Sequence, residues 1–303
     1  MNRNTRRILI GGLICGVIGV ITYFGVTFIA PYSLIVPLRV DPKEKTSIYH
    51  PSQLSLPYDT LNIHVDDSTR LSGYWIQAAD SPRAIIICLH GISAVKEVNL
   101  KLAAWLHEQQ IASILLDLRA HGTSGGTFNT YGFREKQDIS AVVQYIKHQQ
   151  PDVAIGIWGT SLGGAIGLQT LAIEPDLDFG VINSTFSHLP QIISDYQKGY
   201  FGGIRVPALT RYAMKKAGKI ADFDLYSVHP VKAAKQISQP IMMVHGTADD
   251  NIDIRYGQEN FEQLGSKDKV FVPIEGANHY NVPQVGGDSL KAVYKAFLDR
   301  ILE

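Results

Sequence analysis

Cysteine is nearly missing from this chain: Cys15 and Cys88 are the only two among 303 residues. Cys15 falls inside a long apolar run and Cys88 inside a short one that reads as a buried strand. No intramolecular disulfide staple is expected, and cysteine usage does not report the redox compartment. An excess of charge is missing too, since 28 Lys and Arg balance 28 Asp and Glu. A nucleic-acid partner needs a basic excess, so that class is excluded. No internal repeat or low-complexity tract is present, which removes repeat architectures and biased disordered segments. Close-spaced pairs of metal-ligand residues are also lacking. His90, His245 and His279 therefore do not read as a metal site, and no cofactor is implied.

What is present begins at the N-terminus. Residues 8–30 carry no charge, a run long enough to cross a bilayer with some tilt. Arg3, Arg6 and Arg7 precede it, while Arg39, Lys43 and Lys45 follow farther off, mixed with Asp41 and Glu44. This bias predicts a cytoplasmic segment 1–7, a single-pass transmembrane anchor over 8–30, and a catalytic domain on the extracytoplasmic side of the cell membrane. A cleaved signal peptide is the competing reading. The run is long for a signal core, and Ala30 has Phe28 two positions earlier and Pro31 after it, both against cleavage. Gly12 and Gly16 read either as a helix-dimer face or as simple tolerance of glycine. Residues 31–60 hold Pro31, Pro37, Pro42, Pro51 and Pro57 and read as an irregular connection that lifts the domain off the membrane.

From residue 61 to 303 the pattern changes. Residues 61–65 and 71–76 alternate apolar and polar around Asp66-Asp67-Ser68, a hairpin signal. Residues 84–89 are continuously apolar, as a central parallel strand is. Further strands are expected at 112–117, 153–158, 179–183, 240–245 and 269–273, and helices at 96–109, 134–149, 162–173, 254–264 and 288–302. This alternation predicts an α/β fold, a mostly parallel sheet flanked by helices. Residues 186–228 are too many for an ordinary connection and contain Tyr196, Tyr200, Phe201, Tyr212, Phe223 and Tyr226. They read as a short helical cap. Lys198, Arg205, Arg211, Lys215, Lys216 and Lys219 make its first part basic, either as a face toward anionic lipid head groups or as a solvated helix face.

The chemistry rests on Gly159-Thr160-Ser161-Leu162-Gly163. A serine between glycines, placed where a strand runs into a helix, is the nucleophile-elbow pattern. Such a turn tolerates little beyond hydrogen at the flanking positions and aims helix amides at the hydroxyl. A serine nucleophile needs a base and a carboxylate that orients the base. In a parallel sheet these belong at the carboxyl ends of strands, in the order nucleophile, acid, histidine. The strand at 240–245 runs into His245-Gly246-Thr247-Ala248-Asp249-Asp250, and the strand at 269–273 is followed by Glu275-Gly276-Ala277-Asn278-His279. Ser161, Asp249 and His279 are the expected catalytic set, with Asp250 the rival acid and His245 a brace for its turn. The oxyanion donors are expected at the amides of Leu162, first in the helix, and Ile92, in the loop His90-Gly91-Ile92-Ser93. The segment Asp117-Leu118-Arg119-Ala120-His121-Gly122 reads as structural, through a buried Asp117–Arg119 pair, in preference to substrate binding.

These residues resemble the α/β-hydrolase superfamily from about residue 60 to the end. The matching segments are the His90-Gly91 loop, Asp117-x-Arg119-x-His121-Gly122-x-Ser124-x-Gly126, Gly159-x-Ser161-x-Gly163-Gly164, His245-Gly246-x-x-Asp249 and Gly276-x-x-His279. The layout looks like the membrane-anchored α/β-hydrolase-domain proteins and the serine-aminopeptidase and monoacylglycerol-lipase-like group. Ala120 departs from the family's usual glycine. The resemblance implies Ser161 as nucleophile, Asp249 as acid, His279 as base, and Ile92 with Leu162 as oxyanion donors. The leading expectation is hydrolysis of carboxylic ester or thioester bonds of small-molecule acyl or lipid-like substrates. A serine peptidase or amidase ranks second, and a catalytically inactive membrane-tethered binding protein third. Fold alone does not choose among them.

Overall fold

The computed structural model describes residues 3–66, 68–200 and 206–303, without the side chains at 4, 8, 18, 21, 22 and 198–200. Its centre is an eight-stranded sheet. The strands are β1 (Tyr58–His64), β2 (Arg70–Ile76), β3 (Ala84–Leu89), β4 (Ile111–Leu116), β5 (Ala154–Thr160), β6 (Phe179–Asn183), β7 (Ile241–Gly246) and β8 (Lys269–Ile274), in the order β1-β2-β4-β3-β5-β6-β7-β8. β2 pairs antiparallel with both β1 and β4, and every pairing from β4 to β8 is parallel. Asp67 of the expected hairpin turn lies outside the described residues.

Strand pleating divides the core. Ile85, Ile87 and Leu89 of β3 point to one face, while Ala84, Ile86 and Cys88 point to the other, the period of two that a strand requires. Both sets are buried, which explains why the run reads as continuously apolar. The helices in chain order are α1 (Arg3–Phe24), α2 (Ala30–Ile35), α3 (Pro42–Lys45), α4 (Leu100–Glu108), α5 (Glu135–Gln149), α6 (Leu162–Leu171), α7 (Leu189–Tyr200), α8 (Pro207–Ala221), α9 (Pro230–Ala234), α10 (Ile254–Gln263) and α11 (Val282–Ile301). Helix α5 lays Ile139, Val142, Val143 and Ile146 on the first face, the spacing of one helical stripe. α4 and α11 cover the second face through Leu100, Ala103, Leu106, Leu290 and Phe297.

The N-terminal segment differs from expectation in two ways. In place of one helix over 8–30, α1 ends at Phe24, a π-helical turn spans Gly25–Ile29, and α2 follows. Among the described residues no helix is long and apolar enough to cross a membrane. The transmembrane anchor expected over 8–30, and the membrane contact through it, thus find no support in the described helices. α1 leaves Leu9, Leu13, Val17 and Val20 exposed, and Cys15 is exposed beside them. The stretch after residue 30 is not a loose connection. Pro31 lies in the first turn of α2, where its missing N–H costs nothing, and Ile35 is fully buried in the core of the first face.

Between β6 and β7 the chain forms α7, α8 and α9. Tyr200, Phe201, Lys198 and Arg205 of the aromatic and basic sets lie outside the described side chains. α7 is tied to α10: Arg255 donates to Asp195 at 2.6 Å and the Tyr256 hydroxyl donates to the same carboxylate at 2.5 Å. α8 packs on the N-terminal segment, with Lys216 Nζ over the Phe28 ring at 4.9 Å.

Candidate active site

Register brings the strand ends flush. Leu89 lies opposite Gly159, Thr160 opposite Asn183, Asn183 opposite Val244 and Gly246 opposite Ile274. The loops after β3, β5, β7 and β8 therefore open at one edge of the sheet, where parallel α/β sheets collect ligands.

Ser161 occupies the turn from β5 into α6 with φ 57° and ψ -118°. That left-handed geometry is costly for a non-glycine residue and persists only where the surroundings over-determine it. Here they do: Ser161 N donates to Asn183 O at 2.9 Å, while its carbonyl accepts from Ala165 N at 3.1 Å and from the Thr185 hydroxyl at 2.8 Å. The flanking glycines are steric necessities. A Cβ on Gly159 would lie 2.3 Å from the Gly163 carbonyl oxygen, and one on Gly163 would lie 2.3 Å from that of Leu89.

His279 and Asp249 complete a hydrogen-bonded chain. His279 Nε2 stands 3.1 Å from Ser161 Oγ, and His279 Nδ1 stands 2.7 Å from Asp249 Oδ2. An ionised carboxylate only accepts, so the Nδ1 proton faces Asp249 and leaves the Nε2 lone pair toward the serine hydroxyl. Burial pushes the Asp249 carboxyl up, but hydrogen bonds from His245 and His279, the nearby His279 charge and the Ile252 amide outweigh it and hold the group well below the usual carboxylate range. Ile252 N and Asn251 N donate to its other oxygen at 2.8 and 3.1 Å. Asp250, the rival, points into solvent. His245 Nε2 donates to Ile252 O at 2.7 Å and lies 3.5 Å from Asp249 Oδ2, bracing the loop from below.

Leu162 is the first residue of α6, where an amide has no partner within the helix. Gly91 runs beside the serine, since a Cβ on it would lie 3.4 Å from Ser161 Cβ, and Ile92 and Ser93 follow it in the chain. His90 braces this loop. Its Nδ1 donates to Gly91 O at 2.7 Å and its Nε2 accepts from Leu118 N at 3.1 Å. Burial lowers the His90 pKa, in keeping with a neutral ring that donates at one nitrogen and accepts at the other.

The segment from Asp117 differs from expectation. Asp117 and Arg119 do not pair with each other. Lys96 Nζ meets Asp117 at 2.6 Å, whereas Arg119 meets Asp138 at 2.5 Å and Asp66 at 2.9 Å. Burial lowers and the paired carboxylates raise the Arg119 pKa, with the raising effect larger. The segment is structural, but through partners that sequence reasoning missed. Lys96 follows a strand like many solvated lysines, and no pattern marks it as buried. Tyr280 was missed as well. It stands next to His279 with ring centroids 5.3 Å apart, 78% exposed, and its hydroxyl accepts from Asn251 Nδ2 at 2.7 Å. Among the described residues no cluster of His, Cys, Asp and Glu is arranged to hold a metal ion.

The chain is similar to several known proteins. Residues 80–208 match the family described as serine aminopeptidase, S33, a span that contains Ser161 and the His90 loop but neither Asp249 nor His279. The uncharacterised protein YqkD of Bacillus subtilis is 27% identical over 217 residues, 68% of each chain. Mouse monoglyceride lipase is 22% identical over 279 residues, covering 79% of this chain and 90% of the lipase. Among solved structures, an esterase of Pyrococcus furiosus superposes with a TM-score of 0.73 at 23% identity, over 89% of this chain and 99% of the esterase. That likeness establishes the fold.

Proposed function

We propose that this chain is a serine hydrolase of the α/β-hydrolase superfamily, of esterase or lipase type, and that it cleaves carboxylic ester or thioester bonds of small acyl substrates through an acyl-enzyme on Ser161. The single observation that carries the reading is the hydrogen-bonded chain from Ser161 Oγ through His279 to the buried Asp249 carboxylate. Ser161 Oγ attacks the acyl carbonyl carbon while His279 Nε2 takes its proton. Asp249 holds the ring in place and balances the charge of the imidazolium. The carbonyl oxygen, now an oxyanion, accepts from the amides of Ile92 and Leu162. As the tetrahedral intermediate collapses, His279 returns the proton to the departing alcohol or thiol. Water then attacks the acyl group, with His279 as base, and frees the acid and Ser161.

The family's peptidase description favours a second reading, cleavage of amides next to a free amino group. Such a pocket needs a free carboxylate above Ser161. The acids of the cap helices do not offer one: Asp195 is held by Arg255 and Tyr256, Asp224 caps the Tyr226 amide, and Asp222 lies open to solvent with Arg134 3.4 Å away. The ester reading therefore ranks first.

Hydrolysis of 4-nitrophenyl acetate by the full-length chain, beside Ser161→Ala, tests it. The variant is expected to lose roughly a millionfold in kcat and all labelling by a fluorophosphonate. Turnover by Ser161→Ala at the wild-type rate overturns the mechanism. A panel of acyl esters, acyl thioesters and aminoacyl amides then ranks the substrate classes by kcat/KM.

A further inference from the structure

Residues 34–39 are remote in sequence from Ser161, His279 and Asp249, yet they reach the loop beside the serine. The Leu34 carbonyl accepts from the Tyr131 hydroxyl, and the Ile35 carbonyl accepts from Asn129 N at 2.8 Å. The chain then passes the loop after β3, where Leu38 N donates to Ser93 Oγ at 3.0 Å. Ser93 directly follows Ile92 and has a φ of 52°, a left-handed conformation that a serine adopts only when held.

Arg39 comes next and spreads its guanidinium over the 121–126 loop. Nη1 donates to the carbonyls of His121, Gly122 and Ser124 at 3.3, 2.5 and 2.9 Å, and Nη2 donates to that of Gly126 at 3.1 Å. A planar fork meets several carbonyls at once in a way that a lysine ammonium does not. The gripped loop wraps the Asp117 carboxylate. Thr123 N donates to Oδ2 at 2.9 Å, and Gly122 is pressed so close that a Cβ there would lie 2.2 Å from the carboxyl carbon. The same carboxylate accepts from Lys96 N at 2.8 Å, and Lys96 closes the loop that began at His90.

We propose that Leu38 and Arg39 are positioning residues for the Ile92 amide. They act through Ser93 on one side and through the 121–126 loop, Asp117 and Lys96 on the other. The inference rests on the reading of Ile92 as an oxyanion donor. A displaced donor weakens the transition state more than the bound substrate, so the effect belongs in kcat and not in KM. Arg39 is exposed, so its removal turns the loop carbonyls toward water without opening the core.

The test uses the full-length chain as wild type, Arg39→Ala, Arg39→Lys, Ser93→Ala and a control, Arg83→Ala, whose side chain pairs with Asp299 at 2.8 Å. Turnover of 4-nitrophenyl acetate is expressed per serine counted by complete fluorophosphonate labelling, and amide hydrogen exchange is followed at residues 91–96. Both Arg39 variants are expected to lose about tenfold in kcat per counted site, with KM unchanged within about twofold. Free guanidinium is expected to restore part of the loss in Arg39→Ala. Exchange at 91–96 is expected to speed up in the Arg39 variants and in Ser93→Ala, and to stay at the wild-type rate in Arg83→Ala. Wild-type kcat per counted site in Arg39→Ala overturns the inference, as does unchanged exchange at 91–96. Fewer counted sites with normal kcat at each also overturn it, since they mark a purely structural role. Failure of the serine mechanism itself is a separate result, read from Ser161→Ala, because the exchange measurement does not depend on turnover.

Discussion

At the end of β3 the chain reads His90-Gly91, and at the end of β7 it reads His245-Gly246. Both histidines are buried, and both hold a loop that borders the candidate site, but the hydrogen bonds at their Nε2 atoms run in opposite directions. His90 Nε2 accepts, from Leu118 N at the end of the neighbouring β4. His245 Nε2 donates, to Ile252 O of its own loop. The glycines differ as well. Gly91 leaves room beside the Ser161 side chain, whereas Gly246 lets a second backbone come close: a Cβ on Gly246 would lie 2.3 Å from Ala277 O, in the loop that delivers His279. One dipeptide thus serves two purposes, and the neighbouring strand decides which.

Removing the carboxylate beside His245 is the most severe way to separate the two loops. Asp249→Asn is expected to lower kcat by about ten-thousandfold, while Asp250→Asn stays within about threefold, both measured by ester hydrolysis at neutral pH. Equal losses in the two variants would put the acid at the wrong residue.

The glycines give the next largest effect. Gly246→Ala forces two backbones apart and is expected to cost about 3 kcal/mol of stability in denaturant unfolding. Gly91→Ala meets ordinary contact distances, so it is expected to unfold near the wild-type midpoint and lose turnover instead. A Gly91→Ala protein as unstable as Gly246→Ala would erase the distinction.

The smallest effect is the dependence of stability on pH. Burial lowers the pKa of His90 and pushes that of the adjacent His121 down to about 3. A histidine with a depressed folded pKa binds fewer protons folded than unfolded. Its contribution is complete above the unfolded value of about 6.5 and is lost as pH falls through the folded value. Each ring is expected to remove at most about 1.4 kcal/mol per pH unit below about 6.5, and His90→Gln should flatten that acid limb in chemical unfolding. The Asp249 carboxyl, depressed in its turn, loses its contribution only in stronger acid, below about 3.9. An acid limb left unaltered by His90→Gln would show that the ring is not held neutral.

Several elements were legible in the sequence because short-range rules govern them. The run 84–89 is apolar at every position since β3 has both faces covered, and it forms over the expected residues. The elbow around Ser161 is written in Gly159 and Gly163, where a Cβ has no space. The order of Ser161, Asp249 and His279 followed from strand ends, and the fold brings these three side chains into one hydrogen-bonded chain. Other elements were not legible. α11 starts at Val282, earlier than the expected 288, because Pro283 suits a first turn and Gly287 absorbs a kink with φ 50°. α2 was hidden by the proline spacing, and burial of Ile35 stabilises it.

By itself the sequence determined the parallel sheet, the elbow and the residue types at the strand ends, since these depend on the period of apolar residues and on the space beside glycine. Only the tertiary structure decided which charges meet. Asp117 pairs with Lys96 and not with Arg119, and Arg39 reaches the 121–126 loop from a segment that reads as a linker. The physical reason is that an ion pair or a carbonyl clamp is set by distance and burial between elements far apart in the chain, which no local pattern encodes.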